Sequence, residues 1–142
     1  MTVSMGWMNL LQTMAVGASG ARAAEVSLQA AAHNVANLNT DGFQAGRATL
    51  ADSPGGGVTA SVVPSGEPAP LIARGETFVR ASNTDLVADT ITRAAASAVY
   101  RANLRTVIAH SATSASSLST SACRRASVDA SRAKSGWFCI SA

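Results

Sequence analysis

Residues 30–43 read AAAHNVANLNTDGF, an alanine-rich helical pattern that stops in a cluster of asparagines and an Asp-Gly pair. Upstream, Met14, Ala21, Leu28 and Val35 recur at heptad spacing, and Gly17, Ala24, Ala31 and Leu38 fill the intermediate positions. That is a narrow, small-residue seam for another helix. Asn34, Asn37 and Asn39 bring short amides that compete for backbone hydrogen bonds, and Asp41-Gly42 supplies a tight reversal, so the helix is expected to end near Leu38. Phe43, the first large apolar group after the turn, is expected to fold back on the helix end and set the exit direction of the chain.

The wider composition agrees with slender helices. The chain has 142 residues, 47% hydrophobic but only 4% aromatic, and much of the apolar fraction is alanine. A bulky core of the enzyme kind is hard to build from such residues. Long helices packed through small side chains are the simpler solution, with partner chains completing the burial. The expected fold is mainly α: two long helices pairing as an antiparallel α-hairpin or coiled coil, a small β-hairpin module between them, and a disordered C-terminal tail. Its segments are 1–43, 44–81, 82–110 and 111–142.

The first helix is expected over residues ~10 to ~36, where Gly6, Gly17 and Gly20 weaken it, each interior glycine by about 1 kcal/mol. Gly17 and Gly20 either fray its start or let a neighbouring helix come close. In the middle segment, Gly55-Gly56-Gly57 marks a hairpin tip, and Val58 to Val63 alternates as a strand. Pro64, Pro68 and Pro70 limit regular ladders, and Thr77 to Arg80 is a second short strand on an extended path from Leu71. The triple glycine is no phosphate cradle, since the G-x-x-x-x-G-K-[ST] pattern is missing and no helix follows it. Ser82-Asn83-Thr84-Asp85 offers N-caps and an acid for the dipole of a second helix. There Val87, Ile91, Ala94, Ala98 and Ala102 form another stripe, widened by Leu104, Val107 and Ile108.

The pattern N-x-x-N-x-N-T-x-G-F, carried by Asn34, Asn37, Asn39, Thr40, Gly42 and Phe43, resembles the N-terminal signature of bacterial flagellar basal-body rod and hook proteins. Ser19-Gly20-Ala21-Arg22-Ala23 is similar to the Ser-Gly-x-x-Ala segment of the same family helix, and His33-Asn34 stands where the family has two adjacent asparagines. Downstream, Ser82-Asn83-Thr84-Asp85-Leu86-Val87 and Tyr100-Arg101-Ala102-Asn103 are similar to the S-N-x-D-L-V and Y-x-A-N elements of the family's C-terminal helix. About forty residues separate Phe43 from Asn83, room for a small hairpin module rather than a large β domain. The resemblance spans residues ~10 to ~110 and implies a short, proximal-rod member: a structural subunit that assembles with copies of itself and with other rod proteins. It further implies passage through the flagellar type III export apparatus without a cleaved signal, and residence in the periplasmic rod of the basal body.

After His110 the heptad disappears. The chain becomes serine-rich and then basic, with Cys123, Arg124, Arg125, Arg132 and Lys134. The expectation is an unstructured or non-native end, either a disordered extension or the product of a reading-frame change. This end also accounts for the net charge of +3 and a pI near 9.5. A second function class draws on it: an amphipathic membrane-surface or polyanion-binding protein acting through its basic tail. No basic face with interleaved aromatics points to nucleic acid, and no nucleic-acid or small-molecule partner is expected. Met1 to Met8 lacks the charge pattern of a secretory signal, and no apolar run is long enough for a membrane span. Cys123, Cys139, His33 and His110 have no metal-ligand spacing, and the acids are scattered among caps, turns and exposed faces; Asp85 and Asp89, one helical turn apart, are first-turn dipole partners rather than an acid and base pair. Neither a catalytic centre nor a cofactor is therefore expected.

Overall fold

No proline precedes Pro54, so nothing in the backbone interrupts helix formation in the first third of the chain. A computed structural model describes residues 3–132 and shows helix α1 over Val3–Ala36, beginning well before the expected residue 10. Gly6, Gly17 and Gly20 are all inside it. The helix stops where the amides begin. The Asn37 N–H lies 3.2 and 3.0 Å from the His33 and Asn34 carbonyls, and Asn37 Nδ2 also donates to the His33 carbonyl at 2.9 Å.

The middle segment holds two hairpins where one was expected. Strands β1 (Gly46–Asp52) and β2 (Val58–Pro64) pair antiparallel from Gly46 opposite Pro64 to Asp52 opposite Val58. At the tip, Gly56 and Gly57 have φ of 87° and 88°, a backbone region that suits glycine. Strands β3 (Leu71–Arg74) and β4 (Thr77–Arg80) form the second hairpin. Strand β1 escaped the sequence reading because GRATLAD has weak alternation; pairing with the valine-rich β2 supplies what its own propensity does not. The prolines close β2 and fill the link between the hairpins, where no ladder donor is needed. The first hairpin leans on α1, whereas the second touches no other element.

Helix α2 runs Leu86–Arg132, far beyond the expected end at His110. The stretch 111–132 contains neither glycine nor proline. Three hydroxyls at its start turn back on their own helix: Ser111, Thr113 and Ser116 donate to the carbonyls of Ile108, Ala109 and Thr113 at 2.8, 2.9 and 2.9 Å. The boundary expected at residue 110 is therefore not the end of an element. The rest of that segment, residues 133–142 with Lys134 and Cys139, lies outside the described residues. None of the described helices is long and apolar enough to cross a membrane.

Among the described residues every buried apolar side chain is an alanine: Ala21, Ala23, Ala24, Ala30, Ala31, Ala45, Ala69 and Ala96. The α1 seam is covered, with Gly17, Ala21, Ala24 and Ala31 buried and Met14, Leu28 and Val35 half-buried. α2 meets α1 through Ala96, Asn103 and Val107, and a Cβ added at Gly20 would lie 2.8 Å from both polar atoms of the Asn103 amide. The other α2 stripe points away. Val87, Ile91 and Ile108 are 69%, 64% and 63% exposed, and Ala94, Ala98 and Ala102 are exposed beside them.

Candidate functional site

Where α1 ends, α2 begins and β1 starts, two asparagines grip the same piece of backbone. Asn34, only 3% exposed, donates from Nδ2 to the Gly46 carbonyl at 2.8 Å, while its Oδ1 accepts the Gly46 N–H at 2.9 Å. The side chain thereby pairs both polar groups of Gly46 as a neighbouring strand would. Nδ2 also donates to Asp89 Oδ1 at 3.0 Å, tying the end of α1 to the first turn of α2. A Cβ at position 46 would come within 2.7 Å of Val62 Cγ1, so any larger residue there requires the Val62 side chain to shift.

One residue earlier, Asn83 does the equivalent from the other side. Its Oδ1 accepts the Ala45 N–H at 2.6 Å, and its Nδ2 reaches the Glu67 carbonyl at 2.7 Å, Ser65 Oγ at 3.2 Å and Gln44 Oε1 at 3.3 Å. A hydroxyl relay completes the joint: buried Ser82 donates to Thr84 Oγ1 at 2.8 Å, and Thr84 donates to the Asn34 carbonyl at 3.2 Å. Asp85 is the N-cap of α2, its Oδ1 accepting the N–H groups of Val87 and Ala88 at 2.9 and 3.0 Å.

Around this joint the Asn-Thr-x-Gly-Phe turn is held at several points. Thr40 donates to Asn37 Oδ1 at 3.3 Å, and Gly42, with φ of 75°, donates its N–H to the Arg80 carbonyl at 2.7 Å. Phe43 packs edge-on against His33, ring centroids 5.3 Å apart and planes at 64°. Asp41 pairs with Arg74 at 3.0 Å on the surface.

The motif residues are thus divided. Asn34, Asn37, Thr40, Gly42, Phe43, Asn83 and Asp85 gather at the joint, and Asn39 lies exposed in the same turn. Leu86 opens α2 and is 47% exposed. Ser19, Gly20, Tyr100 and Asn103 sit farther along the helices. Ser19 accepts the Val58 N–H at 3.2 Å and so fixes β2 on α1, while Asn103, bonded to the Val99 carbonyl at 3.0 Å, covers Gly20. Half-buried Tyr100 is on the α2 face that carries Ala96. Sequence reasoning left out Ser82 and Thr84 as a relay, and it took Asp89 for a helix-dipole partner. Its spacing of one turn from Asp85 placed it on the same side, yet nothing in the spacing named Asn34 as its donor.

An open cleft of about 810 Å³ lies beside the joint, with an alanine floor and the carboxylates Glu67, Asp85 and Asp89 at its walls. Asp85 and Asp89 are engaged as cap and acceptor, and among the described residues no group of three or more side chains could hold a metal. The chemistry these residues perform is directional hydrogen bonding that fixes where three elements meet. No protein-family model matches the chain, and no curated protein matches it.

Proposed function

We propose that the chain is a structural subunit of the bacterial flagellar proximal rod, of the short type most like flagellar basal-body rod protein C. α1 and α2 pair as an antiparallel α-hairpin, and the stripes they leave open pack against neighbouring copies and other rod proteins. The observation that carries the subunit reading is the outward stripe of α2. Its largest apolar side chains are 63% to 69% exposed, while among the described residues every buried apolar side chain is an alanine. A helix that leaves its more apolar face uncovered has its natural partner in another chain. The rod assignment itself rests on the resemblance of the two motif sets and on their short separation.

In this reading the work is mechanical. Small-residue seams allow close, shear-resistant packing, so the rod transmits motor torque to the hook. The asparagine joint keeps the helix ends and the hairpin in one register, because directional bonds oppose the sliding that apolar seams permit. The protein reaches the periplasm through the type III export apparatus and acts without substrate or cofactor.

Isolation of hook–basal bodies from cells carrying an epitope-tagged chain tests this. The tag is expected in the rod, and deletion of the gene is expected to abolish motility. A chain absent from purified basal bodies rejects the proposal. Truncation after His110 separates it from the tail-based alternative: rod association is expected to weaken but persist, whereas loss of liposome or polyanion binding would support the alternative.

A further inference from the structure

We infer that copies of this chain join head to tail, the outer face of α2 in one copy seated in the carboxylate-lined cleft of the next; this rests on the subunit reading above. Two surfaces of opposite charge carry it. The cleft presents Glu67, Asp85 and Asp89 against one cation, Arg47, over a floor that includes Ala30 and Ala31. The outer α2 face is its converse. Arg93, Arg101 and Arg105 are exposed, and no aspartate or glutamate occurs between Thr90 and Ser116.

The shapes agree as well as the charges. Ala94, Ala98 and Ala102 lie among the arginines, so one helix can approach an alanine floor while the guanidiniums reach carboxylates at its walls. Arg101 and Arg105 are one helical turn apart, as are Asp85 and Asp89, so the pairs match in pitch. They are separated by about 24 Å along α2 at 1.5 Å per residue, which sets the advance from copy to copy when neighbouring α2 helices run parallel. The donor arginines do not line the acceptor cleft, and the two surfaces meet at Ile91. The contact is heterologous, does not close at two copies, and propagates as a filament.

Sedimentation of the full chain at rising concentration and at two salt levels tests this, with the variants R101E/R105E and E67K, all at exposed positions, and helical circular dichroism as the check on folding. Wild type is expected to associate beyond a dimer, less at high salt. Each variant is expected to weaken association at least about tenfold. Mixing the two variants restores one native contact per pair and is expected to return at least a 1:1 dimer. If the variants associate like wild type, or their mixture does not recover, the head-to-tail contact is wrong while the subunit reading stands. If wild type is monomeric throughout, the head-to-tail contact falls, and the subunit reading is decided by the basal-body isolation. Binding of monomeric wild type to phosphatidylserine vesicles, lost in R101E/R105E, would assign the arginine face to a membrane surface and overturn the inference.

Discussion

Asn34 has few acceptable substitutes, because it must donate and accept on one backbone residue while donating to a carboxylate as well. Asn34→Asp keeps shape and the acceptor for the Gly46 N–H, but it removes the donor and sets a second carboxylate beside Asp89. Asn34→Ala leaves two part-buried backbone groups of Gly46 without their partner. Both are expected to cost about 2–4 kcal/mol in urea unfolding, and Asp89→Asn should recover part of the loss only in the Asn34→Asp background. Equal effects of Asp89→Asn in both backgrounds would refute the direct bond. Asp85 has a smaller, more exposed task. Asp85→Ala should cost about 1 kcal/mol and Asp85→Asn only a few tenths, read from the same midpoints. The sequence offered Asp85 as a cap, and its side chain does accept the first N–H groups of α2. That Asn34 and Asn83 serve Gly46, the first residue of β1, and Ala45 just before it was not visible there, since the N–H groups of Ala45 and Gly46 leave no side-chain signature.

The two helices show why periodicity speaks more clearly for one element than for another. The α1 seam is wholly apolar, alternating Met, Leu and Val with alanine and glycine, so its heptad stands out. The α2 line that meets it contains Asp89, Asn103 and Tyr100, polar groups that sequence patterning assigns to solvent. Here they are matched instead: Asp89 by Asn34, and Asn103 by the space over Gly20. The more regular Val87-to-Ala102 stripe drew attention because it is cleaner, and it is the face the chain leaves bare. Gly20 tests the interlock. Gly20→Ala gains about 1 kcal/mol of helix propensity. Its new methyl would stand within 2.9 Å of the Asn103 amide, which must then give up the Val99 carbonyl or push the helices apart. Net destabilisation of about 1 kcal/mol is expected, reversed to a gain when Asn103→Ala is combined with it. An additive double-mutant cycle would show that the two residues do not touch. Strand β1 and the last turns of α2 were hidden for related reasons: one has a pattern completed only by its partner, and the other lost its heptad but retained an unbroken helix-compatible backbone.

At the scale of the whole molecule the balance of burial decides what the chain is for. Alanine side chains bring little apolar area out of water, so a core made of them offsets little of the chain entropy lost on folding. The apolar area the chain does possess lies outside, at Val87, Ile91, Val99 and Ile108, with Leu71 and Phe78 on the second hairpin at 66% and 76% exposure. Under the subunit reading proposed above, association stabilises such a chain, and by mass action its melting temperature is expected to rise with protein concentration. The double variant V87S/I91S removes apolar area that the isolated chain leaves largely uncovered. Its melting temperature is expected to be independent of concentration and equal to the wild-type value at high dilution, since exposed substitutions of this kind alter monomer stability by no more than about 0.5 kcal/mol. A wild-type melting temperature flat with concentration would mean that the bare stripe is ordinary surface. A variant that melts lower than dilute wild type would mean that the stripe already supports the single chain, and the reasoning from α2 to an assembly would lose its foundation.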